Sequence, residues 1–385
     1  MRRFIITLAT IVAVLASVAP AATAGPVNEV TLKAGKTRMQ IGEWVKLTGR
    51  VRPPTGGQVV TIVDRKAGPI AEATTDADGR YQLRYRPARN LRVHAKWLGA
   101  RSPAIPIRVA FRVKVRLWRV ALFDKTTVTG ALEPPERGKS ITVRLLRFGR
   151  EVARKKVKLA RGRSFKTRLN INKPGTYKAR VAYDDGEHLG ARDVSTKRKT
   201  RLPSLSTGSR GFAVKRLEKR LRGLGYYIPT VDRSYGVPTH DAIIAFNKTQ
   251  GRPRSGSVGD GTWRALASPK RPRPRVRSPR RHIEIDQTRQ IVMFIRRGRV
   301  KWILHTSTGA GGATRDGVFH VHRKIAGYSG GRLYYPSYFD GLRAIHGWPE
   351  VPTHPASHGC ARIPMWAATW AHGKAPMGMQ VRVYH

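Results

Sequence analysis

Cysteine is almost missing from this chain: among 385 residues there is one, Cys360. A lone thiol closes no internal disulfide, so no cross-link staples the fold. Acidic residues are scarce as well, 23 Asp and Glu against 75 Lys and Arg, which leaves a formal charge of +52. Such a balance suits polyanionic surroundings: nucleic acid, acidic membrane or an anionic wall polymer. Nucleic acid is disfavoured, because the basic residues run through every segment where a nucleic-acid footprint gathers on one face or arm. Long apolar runs are also lacking. The one candidate, Phe4 to Ala19, falls short of the roughly 20 residues that a membrane-spanning helix needs.

That run follows Arg2 and Arg3 and precedes Ala22-Thr23-Ala24, the layout of a secretory signal peptide cut after Ala24. The mature protein is therefore expected to be exported, with no transmembrane segment, and to act in the cell envelope. An odd cysteine in an exported chain means an intermolecular bond or a free reactive thiol, with a buried inert residue as the plainer alternative.

An internal repeat organises the first half. Thr48-Gly49-Arg50-Val51-Arg52-Pro53-Pro54 returns as Thr129-Gly130-Ala131-Leu132-Glu133-Pro134-Pro135, and Leu98 to Arg101 returns as Leu189 to Arg192. Between these lie short alternating runs such as Tyr81 to Tyr85 and Tyr177 to Val181, bounded by Asp78-Gly79 and Pro174-Gly175. Period-two alternation with regular turns predicts antiparallel strands. Two Ig-like β-sandwich domains are expected, at 25–113 and 114–202, acting as spacers or adhesion modules.

The period then changes. Val214, Leu217, Leu221 and Leu224 share a helical face that Gly225 ends, and further helices are expected from Thr239, as an N-cap, and from Thr262. The periodicity predicts a three-helix mini-domain at 203–267. Its wording resembles the peptidoglycan-binding domain of cell-wall enzymes, through Gly208 to Gly211, Leu224-Gly225-Tyr226, Tyr235-Gly236 and Thr262-Trp263. Ser268 to Arg281 comes next, rich in proline and arginine and free of acids. Such a stretch builds no core and reads as an extended, self-repelling linker over 268–281.

From His282 the strand period returns, so a mainly β domain is expected at 282–385. It carries Ile345-His346-Gly347 and Ser357-His358-Gly359-Cys360-Ala361-Arg362. A cysteine nucleophile needs a base and donors for an oxyanion. His346 and His358 are candidate bases, the Gly359 and Cys360 N–H groups candidate donors, and Arg362 a clamp for an anionic group. His320-Val321-His322 places two imidazoles on one face of a strand. No acidic partner stands at a suitable spacing, and a zinc site would leave the cysteine element unexplained.

These elements, with Ser307-Thr308-Gly309 and Thr314 to Phe319, resemble the signature of the YkuD-like L,D-transpeptidases. The resemblance implies a β-sandwich catalytic domain in which Cys360 is the nucleophile, His346 the base, and the Gly347 carbonyl the group that orients the imidazole. It further implies an oxyanion hole at Gly359 and Cys360, with His358 and Arg362 shaping the pocket. Ser357 and Tyr338 join Arg362 as candidate substrate-binding residues, although Tyr334, Tyr335 and Tyr338 also read as core or lid packing. The interval from His346 to Ser357 is shorter than the family's, which keeps His354 as an alternative base. Arg315 stands where the family usually has proline.

The activity implied is formation of 3→3 peptidoglycan cross-links through a Cys360 thioester, without cofactor or metal. The same site would serve an L,D-carboxypeptidase if water resolved the thioester, and a degenerate site would leave a wall-binding protein. Expected partners are peptidoglycan, anionic wall polymers and, as inhibitors, carbapenem-type β-lactams.

Overall fold

Alternation of buried and exposed residues builds most of the chain into strands. The structure is a computed structural model that describes residues 27–188 and 190–385. The expected signal peptide at 1–24 lies outside the described residues. The described chain up to Arg112, joined by Asp184–Ala191, forms one compact unit, and Val113–Tyr183 with Arg192–His385 forms another. The fold is mainly β, as expected. No helix among the described residues is long and apolar enough to cross a membrane.

In the first unit two sheets face each other. Val45–Arg52 lies at the centre of one, paired with Lys33–Ala34 and Arg80–Tyr85. Ile105–Ala110, Leu91–Trp97, Val59–Asp64 and Gly68–Thr74 run side by side in the other. Inward residues of both, Leu47, Val51, Ile62, Val93 and Ile107, are fully buried in one cluster. The segment around His188, expected in the second sandwich, packs instead with this unit. Its Glu187 carbonyl accepts from Asn90 N–H at 3.2 Å, and its imidazole Nε2 lies 2.7 Å from the Ala88 carbonyl.

The second unit opens with another sandwich. Asp124–Glu133 pairs with Ser164–Ile171, and Ser140–Arg147 pairs with both Arg150–Lys158 and Thr176–Tyr183. The repeated glycine has the same work in both sandwiches. A Cβ on Gly49 would sit 2.0 Å from the Thr31 carbonyl oxygen and 2.4 Å from the Tyr81 ring. A Cβ on Gly130 would sit 2.1 Å from the Lys114 carbonyl oxygen and 2.4 Å from the Phe165 ring. Each glycine lets an aromatic ring and a neighbouring strand close over the sheet.

Three helices come next: α1 (Phe212–Leu224), α2 (Val237–Thr249) and α3 (Asp260–Ala267). Helix α1 buries Val214, Leu217, Leu221 and Leu224, and Gly225 caps it in the left-handed region at φ 100°. Thr239 is not the cap of α2. The helix begins two residues earlier, with Gly236 as cap and Pro238 in the first turn, where the missing N–H costs nothing. The Thr239 hydroxyl is taken by the buried Glu218 carboxylate, to which it donates at 2.8 Å. Helix α3 likewise starts at Asp260, before the expected Thr262.

The last domain holds two five-stranded sheets, its strands labelled here β1 to β10. The first sheet contains β1 (Arg281–Asp286), β2 (Ile291–Arg296), β3 (Arg299–His305), β4 (Gly317–His320) and β10 (Gln380–Tyr384), in the order β3-β2-β1-β10-β4. The second contains β5 (Arg323–Lys324), β6 (Tyr328–Ser329), β7 (Leu333–Asp340), β8 (Arg343–Trp348) and β9 (Ala361–Pro364). Its path is β5-β7-β8-β9, with β6 on β7. Helix α4 (Met365–Lys374) leaves β9 directly, and its Ala367 and Ala371 join Ile345 and Ile363 in the core. Strand β4 stops at His320, so His322 lies beyond it and the expected two-imidazole strand face does not form.

The helical segment and the last domain are not independent. Helix α2 is buried from Ala242 to Thr249, more than one amphipathic face supplies, because α1 covers one side and β3 the other. Phe246 and Leu221 share a hydrophobic cluster with Ile291, Met293 and Ile303. After α1 the backbone runs along β3, Ile303 N–H donating to the Gly225 carbonyl at 2.9 Å and Tyr227 N–H to the Ile303 carbonyl at 3.1 Å. The Tyr227 ring then stacks on Trp370 at 3.8 Å. The expected free linker is docked too. Glu284 accepts from the N–H groups of Arg275 and Val276, and the Arg275 guanidinium lies 4.6 Å from the Tyr384 ring. One buried carboxylate with two backbone donors holds what charge repulsion alone would extend.

At the centre of this junction Lys248, 4% exposed, reaches from α2 into the last domain. Its Nζ lies 2.9 Å from the Gln290 carbonyl, 2.9 Å from the Thr306 carbonyl and 2.7 Å from His305 Nδ1. His305 Nε2 lies 2.8 Å from the Val351 carbonyl, which only accepts, so Nε2 carries the proton and Nδ1 is the acceptor. Burial pushes Lys248 down from 10.5 to about 6.

Two outcomes are expected from this packing. Gly130→Ala should destabilise the second sandwich by about 2 to 3 kcal/mol through overpacking, read as a lowered thermal midpoint, whereas Gly138→Ala meets no neighbour and should cost only the smaller strain of its left-handed backbone at φ 73°. With its pKa lowered, Lys248 binds fewer protons in the folded chain than in the unfolded one from about pH 6 to the ordinary lysine value of 10.5. Stability should therefore climb with pH through that window. Lys248→Met should flatten the climb and cost about 2 kcal/mol by orphaning three buried acceptors. Denaturant midpoints across pH measure both, and an unchanged slope in the variant would refute the assignment.

Candidate active site

Parallel pairing of β8 with β9 brings the two halves of the sequence motif together. The register sets Ile345 against Ala361, His346 against Arg362 and Gly347 against Ile363. Cys360 therefore enters β9 beside the start of β8. Its Sγ lies 3.4 Å from the Ala344 N–H, which donates to it, and 3.8 Å from the Leu342 carbonyl.

His346 is 1% exposed. Its Nδ1 stands 2.9 Å from the Gly347 carbonyl, so Nδ1 bears the proton and Nε2 is left as a bare acceptor. The Trp348 ring packs edge-on at 5.6 Å. Burial, helped by the charge of Arg362, lowers the imidazole to about 4, so it is neutral at physiological pH. Gly347 has a packing reason as well: a Cβ there would sit 2.6 Å from the Ala368 methyl of α4.

Burial also pushes the Cys360 thiol up, against the pull of the Ala344 N–H and the charges of Arg362 and Arg343. The resting pair is thus a neutral thiol and a neutral imidazole, and ionisation of the sulfur requires a proton acceptor.

The loop before Cys360 is tied down by the chain that continues β3. Ser307 Oγ donates to the His354 carbonyl at 2.7 Å, and the N–H groups of Ala356 and Ser357 donate to the Thr308 carbonyl. Arg254, from the helical segment, donates to the Thr353 carbonyl at 2.6 Å. Ser357 Oγ donates to the Cys360 carbonyl at 2.6 Å and accepts from the Gly359 N–H at 3.1 Å. The Gly359 N–H is thereby engaged inside the loop, where the sequence had suggested an oxyanion donor. Gly359 itself sits at φ 127°, and a Cβ would meet the Ala313 carbonyl oxygen and Arg343 Nε, each at 2.9 Å. Thr314 Oγ1 fixes its carbonyl at 2.8 Å.

The candidate residues fall into two groups. Cys360, His346, Gly347, Ser357, Gly359 and Arg362 are gathered at the β8–β9 junction. The Arg362 guanidinium lies 4.7 Å from the Trp348 ring and donates to the Ala356 carbonyl at 3.2 Å. His358 and His354 are exposed on the loop, and Ser307 holds His354 through its backbone only. Tyr338 is 3% exposed in β7, its hydroxyl 2.9 Å from Ser329 Oγ and its ring under the Arg323 guanidinium. That is packing geometry.

Arg343, Asp340 and Thr314 escaped the sequence reading as parts of the site. Arg343 donates to the Ala313 carbonyl at 2.8 Å and to Asp340 at 3.0 Å. Asp340 also holds Arg315, so the residue at the family's proline position has an ion-pair partner. No local signal links Asp340 to Arg315, since β7 and its turn bring them together.

Two family profiles match the chain: the putative peptidoglycan binding domain over 210–266 and the L,D-transpeptidase catalytic domain, YkuD, over 280–383. Among solved structures, an L,D-transpeptidase from Xylanimonas cellulosilytica is 36% identical, covering 48% of this chain and 98% of that one, with a TM-score of 0.45. A mutant L,D-transpeptidase from Enterococcus faecium is 22% identical over 27% of this chain and 49% of its own, at 0.24. The avibactam carbamoyl enzyme of Ldtfm is 23% identical over 28% and 49%, at 0.26. No curated protein matches the chain significantly. With a peptidoglycan-binding profile directly before a YkuD profile, and with this identity across nearly all of the Xylanimonas enzyme, the chain belongs to the L,D-transpeptidase family.

Proposed function

We propose that this protein is an exported cell-wall enzyme that forms 3→3 cross-links between peptidoglycan stem peptides, with Cys360 as nucleophile and His346 as base. The reading is supported by a neutral, Nδ1-protonated imidazole on β8 whose register partner, Arg362, lies two residues past the one thiol of the chain. Export rests on the signal-peptide layout of residues 1–24. The domain division proposed is sandwiches at 25–113 and 114–202, with 184–191 lent to the first, a binding module at 203–267, a connecting segment at 268–281 that docks on Glu284, and catalysis at 282–385.

In the first half-reaction His346 Nε2 accepts the thiol proton as Sγ attacks the carbonyl carbon of the third stem residue. The oxyanion faces the Cys360 N–H, while Gly359 serves by shape, its own N–H being held by Ser357. Collapse breaks the C–N bond, the imidazolium protonates the leaving D-alanine amine, and a thioester remains. An acceptor amine on a neighbouring stem attacks that thioester and gives its proton to His346. The new amide forms and the thiolate leaves, to be reprotonated. Arg362 holds an anionic group of the donor, and a carbapenem-type β-lactam would acylate the same sulfur.

Mass spectrometry of disaccharide-tetrapeptide incubated with the mature chain should reveal a cross-linked dimer that is absent with Cys360→Ala. His346→Ala should slow dimer formation by about 10² to 10⁴-fold. Tripeptide without dimer would mean that water resolves the thioester, and product that persists in Cys360→Ala would sink the mechanism.

The pH dependence separates two modes of activation. With His346 lowered to about 4 and the thiol raised, kcat/KM should fall only as pH drops toward about 4. Alkylation of Cys360 by iodoacetamide should keep slowing below about pH 7, without the plateau that a preformed thiolate–imidazolium pair gives.

A further inference from the structure

A cleft of about 880 Å³ opens where the second sandwich meets α1, away from Cys360. Of its 14 lining residues six are arginine, two are lysine and none is acidic. Arg116, Arg119 and Arg210 are exposed there. Among the described residues one carboxylate pairs with any of the eight cations: Asp124, 3.7 Å from Arg216. Two large apolar side chains are exposed at the same place, Trp118 at 45% and Phe212 at 58%. Each ring already carries a cation, Arg116 at 4.2 Å from Trp118 and Arg233 at 4.1 Å from Phe212.

So many like charges around one opening repel each other, and an anion threaded between them relieves the repulsion. The volume exceeds what a single phosphate or carboxylate fills and suits several units of a chain. Guanidinium forks match the paired oxygens of phosphate. The aromatic faces offer contact for the C–H surface of a sugar or polyol. The helix that forms one wall belongs to the segment with the peptidoglycan-binding profile, which places the occupant among wall polymers. We propose that this cleft binds a phosphodiester-linked polyol or sugar polymer of the wall. The inference rests on the wall-directed function proposed for the chain, and assigns the charge a site.

Isothermal titration of the full chain with poly(glycerol phosphate) tests it. Binding should weaken by about tenfold or more between about 50 and 200 mM salt, as counterion release requires. Arg119→Glu with Lys197→Glu, both exposed in the cleft lining, should weaken it by about tenfold more than Arg150→Glu with Lys155→Glu, the same charge change on an outer strand of the sandwich. Trp118→Ala should lower affinity for the polymer and leave that for inorganic phosphate unchanged. Equal losses in the two charge-reversed chains would overturn the site in favour of diffuse attraction. Equal affinity for polygalacturonate, or tighter binding of single-stranded DNA, would overturn the phosphate–polyol assignment. Dimer formation from soluble disaccharide-tetrapeptide should persist in the cleft variants. A wild-type chain that binds polymer but makes no dimer would uphold the cleft and remove the enzymatic reading.

Discussion

One buried lysine joins the helical part of the second unit to its last domain. Lys248 stands on α2, and its three acceptors are Gln290, just before β2, His305, the last residue of β3, and the adjoining Thr306. The Thr306 that accepts from Lys248 also donates its hydroxyl to the Arg362 carbonyl, two residues past the thiol. His305 holds Val351 in the loop that leads to Cys360. Withdrawing α2 would therefore leave three polar groups unpaired and loosen both ends of the catalytic loop. Burying a lysine is costly, which is why its pKa falls, and three well-placed acceptors offset part of that cost.

The catalytic region depends on small residues as much as on reactive ones. Gly347 lets α4 close on β8, and Gly359 lets the loop pass between Ala313 and Arg343. Desolvation produced by this close packing lowers His346 and raises Cys360. The same burial that builds the core thus sets the protonation state of both groups. It keeps the imidazole neutral, free to accept a proton at Nε2, and keeps the thiol protonated.

Much of the site was readable in the sequence because its residues form two short contiguous words, around His346 and around Cys360. The role of the Gly347 carbonyl came from the family likeness, and the Nδ1 contact has that geometry. Tyr338 was less legible: an aromatic in a strand reads alike whether it faces substrate or core, and its neighbours Ser329 and Arg323 come from other strands. The linker was misjudged for a related reason. Composition registers the repulsion among its arginines and is blind to a single carboxylate, Glu284, that receives it.

Period and composition were enough for the strand and helix classes, the two glycine-marked repeats, the excess of positive charge and the identity of the thiol, since each is a local property of the chain. Pairing across strands and domains settled the rest. The tautomer of His346, the engagement of the Gly359 N–H, the burial of Lys248 and the basic cleft beside α1 all depend on the folded arrangement, most of them on residues far apart in sequence. Hydrogen bonds and charges act through space at a few ångströms, and that proximity exists once the chain has folded.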